Sequence, residues 1–113
     1  MSQITTHVLD TALGKPAADI YITLSHWKNN QWHKLGSGIS NQDGRVSDLL
    51  DASITLEAGR YQVAFQLEDY FIAQNRNTFY PFAEVVFEIK GDGQHYHIPL
   101  LLAPYGYSTY RGS

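Results

Sequence analysis

The sequence predicts an all-β protein, because its hydrophobic residues recur with a period of two and turn residues interrupt them. From Ile20 to Leu24, for example, apolar and polar residues alternate, which is typical of a half-buried strand. Segments rich in Gly, Pro, Asn and Asp separate the alternating runs, and these residues tolerate the backbone angles of tight turns. Short strands joined by such turns favour an antiparallel sandwich or barrel.

The alternating runs follow one another along most of the chain, with one helical segment among them. The runs lie at residues 7–10, 19–26, 61–67, 84–89, 95–102 and 107–111. A short helix is predicted from Glu68 to about Asn75, where Tyr70 and Phe71 supply the apolar side. No internal repeat or linker divides the sequence, so we expect a single domain over 1–113.

Composition limits the classes of protein that the chain can be. At 43% hydrophobic and 17% charged, its 113 residues are too apolar for a disordered tail. With 8 Lys+Arg against 11 Asp+Glu, the net charge is −3 and no basic cluster occurs, which argues against nucleic acid or an anionic membrane as partner. No run approaches the roughly 20 apolar residues of a membrane span. The lack of cysteine excludes disulfides, thiolate zinc sites and cysteine nucleophiles.

Two histidines in one predicted strand are the first candidates for chemistry. His95 and His97 leave the strand on the same face, whereas Tyr96 and Ile98 point to the core. These histidines are either solvated strand residues, or metal ligands, or an acid and base titrating near neutral pH. A metal site is disfavoured, because it needs a third ligand, and the sequence offers His7 for it but no cysteine and no HxxxH spacing.

Three more residues are candidates on weaker grounds. His7 lies in another alternating run, and Arg45 follows a turn; each, taken alone, is more often an exposed residue. A guanidinium at position 45 would suit an anionic or carbonyl-rich ligand, which it can bind through two donors. The alternation from Tyr107 onward predicts a final strand, which would hold the Ser113 hydroxyl and carboxylate at a fixed place. That strand either closes the sheet as a structural element or contributes to function.

Five motifs occur in order along the chain: His7–Asp10, Gly14–Ala17, Asp43–Arg45, Tyr96–Leu102 and Tyr110–Ser113. This ordered set closely resembles the 5-hydroxyisourate hydrolases, the transthyretin-related enzymes of urate breakdown. The resemblance extends from about Thr6 to Ser113, and its most specific element is the terminal Tyr-Arg-Gly-Ser, which separates these hydrolases from hormone-carrying transthyretins.

This resemblance implies a fold and an assembly. The expected fold is a transthyretin-like sandwich of two four-stranded antiparallel sheets with one short helix at about 68–75. The expected assembly is a homotetramer, a dimer of dimers, with active sites at the dimer–dimer interface. Pro99 then falls in an interior strand, where its missing N–H breaks a ladder bond, so we expect a bulge or a non-hydrogen-bonded position there.

The resemblance also implies the residues of the site. His7, Arg45, His97 and Ser113 are expected to be catalytic, and Arg45, Tyr110, Arg111 and Gly112 to bind substrate. His95 is expected to be secondary, and neither a metal nor a cofactor is required.

The implied reaction is hydrolysis of 5-hydroxyisourate to 2-oxo-4-hydroxy-4-carboxy-5-ureidoimidazoline. In this hypothesis His97 or His7 takes a proton from the water that attacks a ring amide, and Arg45 stabilises the charge on the attacked carbonyl. The alternative is a non-catalytic transthyretin-like protein that binds an aromatic small molecule. Hormone-binding relatives lack this set of histidines and arginine, so turnover is favoured.

The location of the protein is predicted from its two ends. The N-terminal residues lack the basic start and apolar stretch of a signal peptide, and the C-terminal Arg111-Gly112-Ser113 differs from a peroxisomal Ser-Lys-Leu. A cytoplasmic location is therefore expected.

Overall fold

A computed structural model describes residues 2–113, in which two β-sheets pack face to face. The first sheet contains β1 (Ile4–Asp10), β2 (Lys15–Pro16), β5 (Arg45–Val46), β8 (Tyr96–Ala103) and β9 (Gly106–Thr109). The second sheet contains β3 (Tyr21–Lys28), β4 (Gln31–Ile39), β6 (Gly59–Gln66) and β7 (Phe82–Ile89). One short helix, α1 (Glu68–Ile72), connects β6 to β7. No helix within residues 2–113 has the length and apolar character needed to cross a membrane.

The sheet topology confirms the predicted sandwich and differs from the prediction in two details. The order is β2-β1-β8-β9 in the first sheet, with β5 also paired to β1, and β4-β3-β6-β7 in the second. All pairs in the second sheet are antiparallel, as predicted. The first sheet has five strands instead of four, and β1 runs parallel to β8. A period of two is common to parallel and antiparallel strands, so it could not reveal this direction.

The core lies between the two sheets and is formed by every second residue of the long strands. These side chains are almost completely buried, which removes their apolar surface from water and is the main stabilising term for a sandwich. They include Ile4, Val8, Ile98, Leu100 and Leu102 from the first sheet and Ile22, Leu24, Val63 and Phe65 from the second.

The helix is confirmed at the predicted place, although α1 ends at Ile72 and a turn continues to Asn75. Asn75 adopts a left-handed φ of 54°. The Asn75 N–H then donates to the Ile72 carbonyl and the Arg76 N–H to the Phe71 carbonyl, which is the Schellman pattern that ends helices. Phe71 is fully buried, so α1 is held on the core by its aromatic side.

A buried ion pair joins the end of β1 to the region after α1. The Asp10 carboxylate is 0% exposed and accepts hydrogen bonds from Tyr70 Oη at 2.8 Å and Arg76 Nη1 at 2.8 Å. It also accepts from the backbone N–H groups of Ala12 and Leu13 at 3.1 and 3.0 Å. Burial alone would raise the pKa of Asp10, but the bonds from Arg76 and Tyr70 outweigh it and lower the pKa.

The interruption expected at Pro99 is present between β8 and β9. Regular pairing ends at Leu100 opposite Thr109 and resumes as a single bridge between His97 and Gly112. Backbone groups alternate in direction along a strand, so the Pro99 nitrogen stands on the β9 side, where it has no hydrogen to donate. The Thr109 hydroxyl instead donates to the Pro99 carbonyl at 2.7 Å. The segment after β9 is thereby kept close to β8 without a continuous ladder.

Candidate functional site

His7 and Arg45 lie side by side on the outer face of the first sheet. They are directly opposite each other in the antiparallel pair of β1 and β5, where Cβ atoms are typically about 5 Å apart. The turn before β5 fixes this register, because the Asn41 side chain accepts from the backbone N–H of Arg45 at 3.0 Å. Gly44 is required in that turn: its φ is +74°, and a Cβ there would lie 2.4 Å from the Val8 carbonyl oxygen. The predicted pairing of an imidazole with a guanidinium is therefore present.

The two histidines of β8 and the segment before it are joined by Thr5. In the parallel pair of β1 and β8, Thr5 is opposite His97. Thr5 Oγ1 lies 2.8 Å from His97 Nδ1 and 2.9 Å from His95 Nε2. Thr5 is only 6% exposed, although it points away from the core, because the two imidazoles cover it. Thr5 was not among the predicted site residues. The one feature of the sequence that pointed to Thr5 was its position two residues before His7, on the same face of the strand.

The segment after β9 packs against the ring of His97. The Gly112 N–H donates to the His97 carbonyl at 2.8 Å. A Cβ at Gly112 would lie 2.6 Å from His97 Cδ2, so only glycine lets the chain come this close to the imidazole. Because Gly112 has no side chain, the chain can pass close to the His97 ring, and Ser113 then lines the same hollow as His97.

These groups surround a small hollow in the surface. Its volume is about 220 Å³, and Thr5, Arg45, His95, His97 and Ser113 are among its lining residues. Three of the four predicted catalytic residues, Arg45, His97 and Ser113, thus line one hollow, and the fourth, His7, lies opposite Arg45 in the sheet. Small-molecule sites usually measure about 300–1,000 Å³, so this hollow is smaller than most of them.

The electrostatics of the hollow favour neutral imidazoles. Burial lowers the pKa of His7, and the charge of Arg45 lowers it further. Burial lowers the pKa of His97 as well, followed by the charges of Arg45, His7 and His95. Both rings are therefore uncharged near pH 7 and able to accept a proton. Within residues 2–113 the Arg45 guanidinium has no salt-bridge partner, and no three acidic or histidine side chains converge as metal ligands.

Two predicted substrate-binding residues lie apart from this hollow in the described chain. The Arg111 guanidinium stands 4.3 Å over the ring of Tyr96 and donates to Gln94 Oε1 at 3.0 Å. These contacts are on the face of β8 opposite to His97, and they anchor the segment that carries Gly112. Tyr110 is 58% exposed and is not among the residues that line the hollow. Substrate binding by Tyr110 and Arg111 stays a prediction.

Comparison with known proteins identifies the family of this fold and site. A scan against protein families matches residues 4–112 to the HIUase/Transthyretin family. The chain belongs to this family. It is 45% identical over 112 residues to a probable 5-hydroxyisourate hydrolase of Caenorhabditis elegans, covering 99% of this chain and 82% of that protein. It is 44% identical over 114 residues to the 5-hydroxyisourate hydrolase of Mus musculus, covering 99% and 96%.

Solved structures of the HIUase/Transthyretin family include both of its named kinds of protein. A sea bream transthyretin in complex with thyroxine superposes with a TM-score of 0.91 at 28% identity, covering 98% of this chain and 95% of that one. The 5-hydroxyisourate hydrolase of Klebsiella pneumoniae superposes with a TM-score of 0.84 at 35% identity, covering 97% and 98%. The backbone is thus common to both kinds, so the fold alone does not distinguish a hydrolase from a transthyretin.

Proposed function

We propose that this protein hydrolyses 5-hydroxyisourate to 2-oxo-4-hydroxy-4-carboxy-5-ureidoimidazoline, a step of purine degradation. The observation that carries the proposal is that the neutral His97 imidazole and the Arg45 guanidinium, which has no salt-bridge partner within residues 2–113, line one hollow, with His7 opposite Arg45. A proton acceptor and a fixed positive charge are what water attack on a ring amide needs. Relatives named as 5-hydroxyisourate hydrolases, 42–46% identical over nearly the whole chain, support the same activity.

In the proposed reaction, water attacks a ring carbonyl and the ring C–N bond breaks. We assign the proton acceptor to His97, because Thr5 occupies its Nδ1 and leaves Nε2 for the water. Such general base assistance contributes about 10²–10⁴-fold to a rate. That proton then passes to the leaving ring nitrogen, and the attacked carbon becomes a carboxylic acid, which releases its remaining proton to solvent and becomes a carboxylate. No metal and no cofactor takes part.

Arg45 and His7 have supporting roles in this mechanism. The Arg45 guanidinium stabilises the negative charge that develops on the attacked carbonyl oxygen, where an aligned charge lowers the barrier most. His7, opposite Arg45 in the sheet, orients the oxygen-rich edge of the substrate. Ser113 lines the same hollow and positions the attacking water.

We also propose that the active site is completed in a homotetramer. The hollow of one chain is shallow, and a second subunit on the outer face would exclude water from it and strengthen its hydrogen bonds. Light scattering after gel filtration measures this directly, with about four times 12.8 kDa as the expected mass. The cytoplasmic location stays a prediction, which fractionation of the source cells would test.

The activity is tested by adding the protein to freshly generated 5-hydroxyisourate and following its ultraviolet absorbance. We expect decay well above the spontaneous rate and proportional to protein concentration. The same preparation is titrated with thyroxine by calorimetry. Thyroxine binding without any acceleration of decay would contradict the hydrolase and favour the non-catalytic binding protein.

A further inference from the structure

The Thr5 hydroxyl carries a constraint that the proposed mechanism does not use. It lies within hydrogen-bond distance of His97 Nδ1 at 2.8 Å and of His95 Nε2 at 2.9 Å, and it is nearly buried. A hydroxyl has one hydrogen, so it can donate to only one of these two nitrogens at a time. To keep both bonds, one of the two nitrogens must carry a hydrogen and the other must be bare.

This constraint leaves two allowed states. In the first, His97 Nδ1 carries the hydrogen and donates to Thr5, which donates to a bare His95 Nε2; His97 Nε2 is then bare, and faces the hollow as a base. In the second, His95 Nε2 carries the hydrogen and Thr5 donates to His97 Nδ1; a neutral His97 then carries its hydrogen on Nε2, as an acid. The protonation of one ring is therefore linked to the tautomer of the other.

We propose that Thr5 is a positioning residue that couples His95 and His97 and thereby converts His97 from base to acid within one turnover. This inference rests on the proposed hydrolysis and adds a role for Thr5 and His95. When His97 Nε2 takes a proton from water, the Nδ1 hydrogen moves to Thr5 Oγ1 and the Thr5 hydrogen moves to His95 Nε2. The total number of protons is unchanged, and His95 holds the positive charge.

The second half of the cycle reverses these transfers. His97 gives its Nε2 hydrogen to the leaving ring nitrogen, His95 returns its Nε2 hydrogen to Thr5, and Thr5 returns its own to His97 Nδ1. Ring-amide hydrolysis needs a base when water attacks and an acid when the ring nitrogen leaves. The proton that His97 Nε2 takes in the first step is the one that it donates in the second.

The surroundings of the two rings fit these roles, in which His97 exchanges protons with the substrate and His95 holds the positive charge. His97 is half-buried and faces Arg45, His7 and Ser113, so a positive charge on it is disfavoured. His95 is exposed to solvent, and water stabilises its charged form. Beside His95, the Arg111 Nη2 donates at 3.3 Å to the His95 backbone carbonyl and not to its ring.

The test compares Thr5→Val, which keeps the shape and removes the hydroxyl, with Thr5→Ser, which keeps the hydroxyl. Thr11→Val is the matched control, because it also removes a hydroxyl that bonds from the end of β1 to β8, at 3.1 Å from the Leu102 carbonyl, far from the hollow. Nitrogen-15 NMR records the tautomers of His95 and His97 between pH 5 and 9. Turnover of 5-hydroxyisourate is measured on the same samples.

In the wild-type protein, Thr5→Ser and Thr11→Val, we expect the His97 hydrogen to move from Nδ1 to Nε2 as His95 becomes charged. In Thr5→Val the His97 tautomer should not follow His95, and kcat should fall about 10–100-fold, as expected for a catalytic group that loses its orientation. A His97 tautomer that ignores His95 in the wild type, or full kcat in Thr5→Val, would overturn the inference. Intact coupling in a protein with no turnover would instead overturn the hydrolase assignment, so the two failures give different results.

Discussion

Strand β1 carries a polar cluster at each end, and the two clusters differ in how completely their charges are matched. At Asp10 the carboxylate is fully buried, and Arg76, Tyr70 and two backbone N–H groups surround it. At the other end Thr5 is buried, but the imidazoles of His7 and His97 beside it are half-buried, and the neighbouring Arg45 has no salt-bridge partner in residues 2–113. A cluster whose charges are matched within the chain stabilises the fold. A cluster left with unmatched charge is able to stabilise a ligand or a transition state.

The largest difference between the two clusters is expected when the proposed base, His97, is removed. In His97→Ala we expect kcat/KM for 5-hydroxyisourate to fall about 10²–10⁴-fold, the usual contribution of a general base. The melting temperature should change by only a few degrees, because the side chain is half-exposed. His33→Ala on the exposed strand β4 is the control and should retain full activity. Full turnover by His97→Ala would remove that residue from the mechanism.

At the other end of β1, we expect a substitution to lower stability and to leave activity unchanged. Asp10→Ala leaves the Arg76 guanidinium without its partner, and breaking such a buried pair costs about 3–5 kcal/mol of unfolding free energy. Urea denaturation measures this loss, while kcat of the folded fraction should be unchanged. Glu88→Ala is the control, since it breaks the exposed pair with Arg60 and should cost at most about 1 kcal/mol. Equal losses in the two variants would contradict the comparison.

A smaller effect is expected where the chain touches the His97 ring. In Gly112→Ala the new Cβ would lie 2.6 Å from His97 Cδ2, so either the ring or the terminal segment must move. A displacement of this size lowers kcat by about 10–100-fold without unfolding the protein. Gly106→Ala is matched to it, because a Cβ there meets no heavy atom within 4 Å. If both variants turn over substrate at the same rate, the close approach at Gly112 has no catalytic importance.

The smallest effect concerns the titration of His97. Its pKa is lowered by burial first and by Arg45 next, so Arg45→Gln should raise the pKa toward 6.5, as measured by NMR titration. Between the lowered pKa and 6.5 the folded protein binds fewer protons than the unfolded chain, so stability rises with pH across that window. In Arg45→Gln the pKa of His97 lies closer to 6.5, so the pH range over which stability rises should be narrower. An unchanged His97 titration would show that Arg45 does not act on the ring.

The sequence was sufficient for the sandwich, the helix and most of the site, because each left a local pattern. Alternation placed His97 on the outer face of β8, and turn residues placed Arg45 at the start of β5. The parallel pairing of β1 with β8 left no such pattern, since it joins segments about 90 residues apart. Register, which sets what lies opposite His97, is fixed by that pairing.

Contacts between distant side chains could not be predicted from the sequence. Threonine is common in strands for its shape alone, so Thr5 gave no sign that its hydroxyl bridges two imidazoles. Outside the site, Arg76 and Asp10 are 66 residues apart, and they meet only after α1 has packed on the core. The contact of Arg111 with the ring of Tyr96 likewise depends on how the segment after β9 returns to β8.

The parallel pairing of β1 and β8 also has a consequence for synthesis on the ribosome. Thr5 and His97 are 92 residues apart, and the hydrogen bond between them closes a loop that includes most of the chain. The nascent polypeptide can therefore bury much of the second sheet, and pair His7 with Arg45, before Thr5 and His97 meet. The complete site then forms only after β8 has been synthesised, and β1 must remain without its β8 partner until that moment.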